Sequence, residues 1–228
     1  MVLKALVFDM DGTITKLALP LEAMRSDTKE YYIAKGLPAE ILEPADGISS
    51  STAKARDYFL SNGYSLDDWI IMEREVDIIL DRHEGSAAES AEPLSGALEV
   101  VKKIRALGFL TAILTNNGRS SVDKILTQIP LVEHFQIIQT RHESPLPKPH
   151  PDGLVKIIGD LNVGPEEAVY IGDALIDGTA ADRAGIEFWG VATGETSASA
   201  LLDAGATQVF ESLDCILEEV LSRKSKMV

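Results

Sequence analysis

A chain of 228 residues, 45% hydrophobic and 25% charged, is long enough to bury a sizeable core, and its length fits one α/β domain with a large insertion, or two domains. With 21 basic against 36 acidic residues and a formal net charge of −15, it is a poor partner for nucleic acid or anionic membrane, whose sequence-independent affinity comes from clustered Lys and Arg. No apolar run is long enough to span a bilayer, Lys4 interrupts the opening apolar stretch, and the single cysteine, Cys215, cannot close an intrachain disulfide, so a cytoplasmic location is expected.

Taken in chain order, the first apolar run, residues 5–8, reads as a strand. It ends in Asp9, Met10, Asp11, Gly12 and Thr13, where side chains at i and i+2 of an extended chain share a side, so Asp9 and Asp11 would present two carboxylates together. Taken alone, an Asp-Gly after a strand is a turn. The next sheet strand falls only at 109–114, and the intervening stretch far exceeds what a parallel crossover needs. Its periodicity is helical over 21–35, 52–61 and 66–82, the last with Trp69, Met72, Val76, Ile79 and Leu80 on one face. A helical domain inserted over 17–92, entered through 15–20 and left through the segment 84–95 with Gly85, the small residues Ser86, Ala87 and Ala88, and Pro93, is therefore expected, with the core formed by 1–16 and 93–228.

Residues 96–107 form an amphipathic helix stopped by Gly108. Thr115 and Asn116 follow the strand 109–114, and the Thr-Asn-Asn-Gly run serves equally as N-cap chemistry for a helix starting near Arg119 or as a phosphate-binding turn. After a strand at 135–139 comes Lys148, between Pro147 and Pro149, where a stiff backbone would hold an ammonium in place. His83, His134, His142 and His150 show no metal-ligand spacing. Gly172 and Asp173 follow a strand at 168–171, and Asp177 stands near the start of a helix. Carboxylates collected at strand ends suit a hard cation with oxygen ligands. Strands at 188–191 and 208–210 complete the pattern, and in the last helix Cys215 lies off the apolar stripe among acidic neighbours that disfavour a thiolate. Short apolar runs alternating with helices describe an α/β fold: a doubly wound, mostly parallel, Rossmann-like sheet whose ligands bind beyond the carboxyl ends of its strands.

The ordered set resembles the haloacid dehalogenase-like hydrolases, in particular their phosphoglycolate-phosphatase-like members with a helical cap. Asp9 to Thr13 matches the first family motif, Thr115 the second, Lys148 with Pro149 the third, and Gly172, Asp173 and Asp177 the fourth. The resemblance implies a phosphatase acting on a small phosphorylated metabolite, with Asp9 attacking phosphorus and Asp11 serving as general acid and base. It implies magnesium held by Asp9, the backbone carbonyl of Asp11, Asp173 and, through water, Asp177. It also implies that Thr115, the backbone near Asn116, and Lys148 bind the phosphoryl oxygens, and that the cap closes over the site. Ile14 to Leu17 and Asn117 depart from many relatives, several of which carry lysine at the latter position. A phosphomutase of the same family uses the same Asp9 chemistry and stays open. A receiver-type phosphoacceptor switch also combines acidic residues, a threonine and a lysine, but needs no insertion and spaces its acidic residues differently.

Overall fold

The structure, a computed structural model, describes residues 2–194 and 196–225. Strand β1 (Ala5–Phe8) is followed by the short strand β2 (Thr15–Lys16), helices α1 (Leu21–Ala34), α2 (Ile48–Ser61) and α3 (Leu66–Ala87), and the return strand β3 (Glu92–Pro93). Helix and strand then alternate through α4 (Ala97–Ala106), β4 (Leu110–Leu114), α5 (Arg119–Gln128), β5 (Ile137–Gln139) and α6 (Asp152–Asp160). The chain continues through β6 (Ala168–Gly172), α7 (Leu175–Ala184), β7 (Glu187–Val191), α8 (Ala198–Asp203), β8 (Gln208–Phe210) and α9 (Leu213–Ser225).

All pairings in the main sheet are parallel, in the order β5-β4-β1-β6-β7-β8. Because both faces are covered, β1 is buried at every position, which explains why it reads as an unbroken apolar run. Ala5 and Val7 join Ala112, Leu114, Leu154, Ile157 and Ala180 in one core cluster. Leu6 and Phe8 alternate to the other face, where the Phe8 ring meets Phe135 edge-on at 5.9 Å. From β1 the chain winds outward through β4 to β5 and then returns to β6 on the other side of β1. The loops after β1, β4 and β6 thus diverge at a topological switch point. Register sets their level: Phe8 lies opposite Ile113 and Ile171, so Asp9, Thr115 and Asp173 emerge together at the carboxyl edge.

The chain divides into two compact units, Met1–Leu17 with Ala91–Val228, and Ala18–Ser90. The second is built on α1, α2 and α3 around Met24, Tyr32, Phe59, Trp69, Met72, Val76 and Leu80. Tyr32 stacks on Trp69 at 5.9 Å, an aromatic contact worth about 1 kcal/mol beyond the area it buries.

Several helix limits differ from the sequence expectation. Helix α2 starts four residues early, at Ile48, because extended Gly47 caps it and Ser51 is buried in its first turn. Helix α3 runs on to Ala87: Gly85 lies buried within it, packing having outweighed the preference of glycine for a break. Ile79 is only half-buried. The two linker segments pair as an antiparallel ribbon, β2 with β3, through Thr15↔Pro93 and Lys16↔Glu92. No helix among the described residues is long and apolar enough to cross a membrane.

Candidate active site

Asp9, one residue past β1, Asp173, one residue past β6, and Asp177 in the first turn of α7 each offer a carboxylate oxygen, and the three oxygens lie within 4.8 Å of one another. Two glycines make room for Asp173. At Gly12 (φ +76°) a Cβ would stand 2.3 Å from Asp173 Oδ2, and at Gly194 only 1.8 Å from it, so neither position has space for a side chain. Thr13 Oγ1 donates to Asp173 Oδ1 at 3.2 Å. Asp177 divides its oxygens between tasks. Oδ2 accepts the Ala174 N–H at 3.0 Å and closes the start of α7, while Oδ1 faces inward.

Lys148 brings the charges together. Its side chain is 2% exposed, and Nζ donates to Asp9 Oδ1 and Asp177 Oδ1, both at 2.7 Å, and to Tyr170 Oη at 2.9 Å. Tyr170 Oη in turn donates to Asp177 Oδ1 at 2.9 Å. The backbone of Lys148 is clamped by the Asn116 side chain, whose Nδ2 donates to Lys148 O and whose Oδ1 accepts from Lys148 N, each at 2.9 Å. Asn116 therefore does not cap α5. That place is taken by Gly118, without a side-chain bond. Thr115 is buried at the end of β4, its N–H bonded to Gln139 O and its Oγ1 accepting from Asn117 N–H.

The Asp11 side chain lies apart from the three-carboxylate cluster. Oδ1 accepts from Thr15 Oγ1 at 3.0 Å and Oδ2 from Asn117 Nδ2 at 2.5 Å. Asn117 and Tyr170 are the partners that sequence reasoning did not single out for the site. A tyrosine inside a strand buried at all five positions carried a signal nonetheless, because a buried phenol needs a hydrogen-bond partner. Tyr170→Phe keeps the ring and removes the bridge between Lys148 and Asp177. We expect a loss of about 2 kcal/mol in unfolding free energy, the usual scale for a hydrogen bond to charged groups, measured by urea denaturation.

Burial pushes the Asp9 carboxyl up, against the opposing pull of Lys148 and with a further push from Asp177 and Asp173. Burial and then Asp177 raise Asp173 to about 6. Lys148 is held above its ordinary value, since Asp177 and Asp9 outweigh the burial that opposes its charge. Three carboxylates around one ammonium leave two formal negative charges in a site built only of oxygen donors. That donor set fits a magnesium ion.

A pH dependence follows. Asp173 holds its proton in the folded chain to about pH 6, whereas an unfolded aspartate loses it near pH 4, about the ordinary value. Between those values the native state binds more protons, so this group's contribution to stability falls as pH rises through the folded value. Magnesium must displace that proton to bind. We expect the rise in melting temperature on adding magnesium to be small at pH 5 and larger at pH 7, measured by thermal scans with and without the metal.

Fold and site together are those of an α/β enzyme working at the switch point of a parallel sheet. Residues 6–191 match the family model described as haloacid dehalogenase-like hydrolase, and the chain belongs to that family. It is 27% identical over 175 residues to the N-acetylmuramic acid 6-phosphate phosphatase of Pseudomonas aeruginosa, covering 77% of this chain and 75% of that one. It is 23% identical to the phosphoglycolate phosphatase of Shigella dysenteriae, covering 94% and 91% of the two chains. A solved hydrolase structure from Pseudomonas syringae shares the fold with a TM-score of 0.66 at 21% identity, over 96% of this chain and 98% of that one.

Proposed function

We propose that the chain is a magnesium-dependent phosphatase that hydrolyses a small phosphate monoester through an aspartyl phosphate on Asp9. The observation that carries this reading is the placement of Asp9 at the switch point, bonded to buried Lys148 and grouped with Asp173 and Asp177. Its phosphatase class follows from the family and from relatives that bear that name.

In this reading an Asp9 oxygen forms a bond to phosphorus as the bond to the leaving oxygen breaks, and Asp11 gives its proton to that oxygen. Asp11, now a carboxylate, takes a proton from water as water attacks phosphorus and releases Asp9. Lys148 offsets the charge between nucleophile and phosphoryl group, and the Thr115 hydroxyl and the backbone near Asn116 donate to the phosphoryl oxygens. Asp9, Asp173, Asp177 and the backbone carbonyl of Asp11 would hold magnesium. When bound, that ion supplies charge neutralisation and alignment. We assign substrate selection to the helical unit Ala18–Ser90, as a cap domain, and a cytoplasmic location to the protein.

The test is a panel of phosphorylated metabolites, phosphoglycolate and N-acetylmuramic acid 6-phosphate among them, assayed for free phosphate with chelator and with added magnesium. Stoichiometric phosphate release that stops in chelator and returns with magnesium is expected. An isomerised sugar phosphate without free phosphate would mean a mutase. Full turnover with metal demonstrably removed would end the magnesium assignment.

A further inference from the structure

Asn117 lies three residues beyond β4 and just before the start of α5, where the sequence offers its side chain as a cap for the coming helix. Here it does not, since Gly118 is the N-cap of α5 and no side chain closes it. The residue is 4% exposed and fixed at both backbone groups, its N–H donating to Thr115 Oγ1 at 3.1 Å and its carbonyl accepting the Arg141 N–H at 3.0 Å. Its side-chain amide reaches across 106 residues of sequence to Asp11 Oδ2 at 2.5 Å. Thr15 holds the other Asp11 oxygen at 3.0 Å. The Asp11 backbone is set by the turn after β1, where Ile14 and Thr15 N–H both bond Met10 O at 2.8 Å. Thr15 and Asn117 thus place one side-chain donor on each oxygen of the Asp11 carboxyl group.

We propose that Asn117 is a positioning residue for the Asp11 carboxyl group, fixing the plane in which that group meets the leaving oxygen and, later, the attacking water. The proposal rests on the assignment of Asp11 as acid and base. A proton leaves Asp11 for the leaving oxygen as the P–O bond breaks and the Asp9–phosphorus bond forms. A proton returns to Asp11 from water in the second step. Asn117 takes part in neither transfer.

A misaimed acid hurts most where the leaving group needs the proton. Two probes of similar shape separate this from general damage: p-nitrophenyl phosphate, whose leaving group departs readily as an anion, and phenyl phosphate, whose phenol has a pKa of about 10. For Asn117→Ala we expect kcat/KM on phenyl phosphate to fall by about 10- to 100-fold, the scale of a misplaced catalytic group. On p-nitrophenyl phosphate we expect a fall of less than about threefold, because little acid help is used there. If the alanine variant does not fold, as judged by thermal melting, Asn117→Leu keeps the volume and is read the same way. Equal losses on both probes would reduce Asn117 to a structural role, and a gain in rate would show that its bond to Asp11 restrains the acid; either overturns the proposal. Asp11→Asn is measured in parallel. If it shows the leaving-group contrast while Asn117→Ala does not, only the positioning role fails. If Asp11→Asn lacks the contrast, the acid role fails and the proposal with it. On the Asp11→Asn background, Asn117→Ala should add no further contrast.

Discussion

Lys148→Met should cost the enzyme both activity and stability. In the wild-type site the ammonium is 2% exposed and lies 2.7 Å from Asp9 and from Asp177. Methionine fills much the same volume but leaves two carboxylates buried beside Asp173 without their counter-charge. Removing one partner of a buried ion pair costs about 3–5 kcal/mol, because the other charge stays desolvated. Loss of a group that stabilises charge on a transferring oxygen typically lowers rate by about 10² to 10³. We therefore expect a marked drop in melting temperature without metal, together with a fall of that size in kcat/KM for p-nitrophenyl phosphate at saturating magnesium. Lys148→Arg should not rescue the rate, since a planar guanidinium cannot place one nitrogen against Asp9, Asp177 and Tyr170 at once. A methionine variant with wild-type kinetics would remove Lys148 from the reaction.

The strands of the core were legible for a physical reason. Strands covered on both faces are apolar throughout, and each ends in the turn residues that line the carboxyl edge, so 5–8 and 168–171 stand out against their flanks. The carboxylates and Thr115 were legible as residue types just past strands, and Lys148 as a lysine between prolines. The structure groups Asp9, Asp173 and Asp177 and bonds Lys148 to two of them, while Asp11 lies apart, held by Thr15 and Asn117. What could not be read is what depends on distant partners. The ribbon of β2 and β3 is held by backbone pairing between segments more than seventy residues apart and has no side-chain periodicity to announce it. Gly85 falls in the expected linker 84–95 because local preference disfavours glycine within a helix, and tertiary packing carries α3 past it to Ala87. Tyr170 sits within the apolar strand 168–171, and nothing local announces that Lys148 and Asp177 bond its hydroxyl. Asn117 was visible only as a departure from relatives; its bond to Asp11 is a fact of three dimensions.

Asp9→Asn and Asp11→Asn should fail in different ways. An amide at position 9 is a poor nucleophile, and we expect turnover to fall by about 10⁴ or more whatever the leaving group, the scale seen when a nucleophile is removed. Unfolding would not explain that loss, since Lys148 keeps Asp177 and Tyr170 as partners and the substitution is isosteric. Asp11→Asn removes the acid and the base but leaves the nucleophile in place, and each of those roles contributes about 10² to 10⁴ in rate. With p-nitrophenyl phosphate the first step needs little acid, so the Asp9 phosphate should still form. Its hydrolysis should then be slow, because water has lost the carboxylate that would take its proton. A burst of nitrophenol equal to the enzyme concentration, followed by slow release, is the expected time course. Acid quenching should trap the phosphoryl group on the peptide that carries Asp9, detectable by mass spectrometry. Phosphate found on another residue, or normal turnover by Asp9→Asn, would place the nucleophile elsewhere and refute the mechanism.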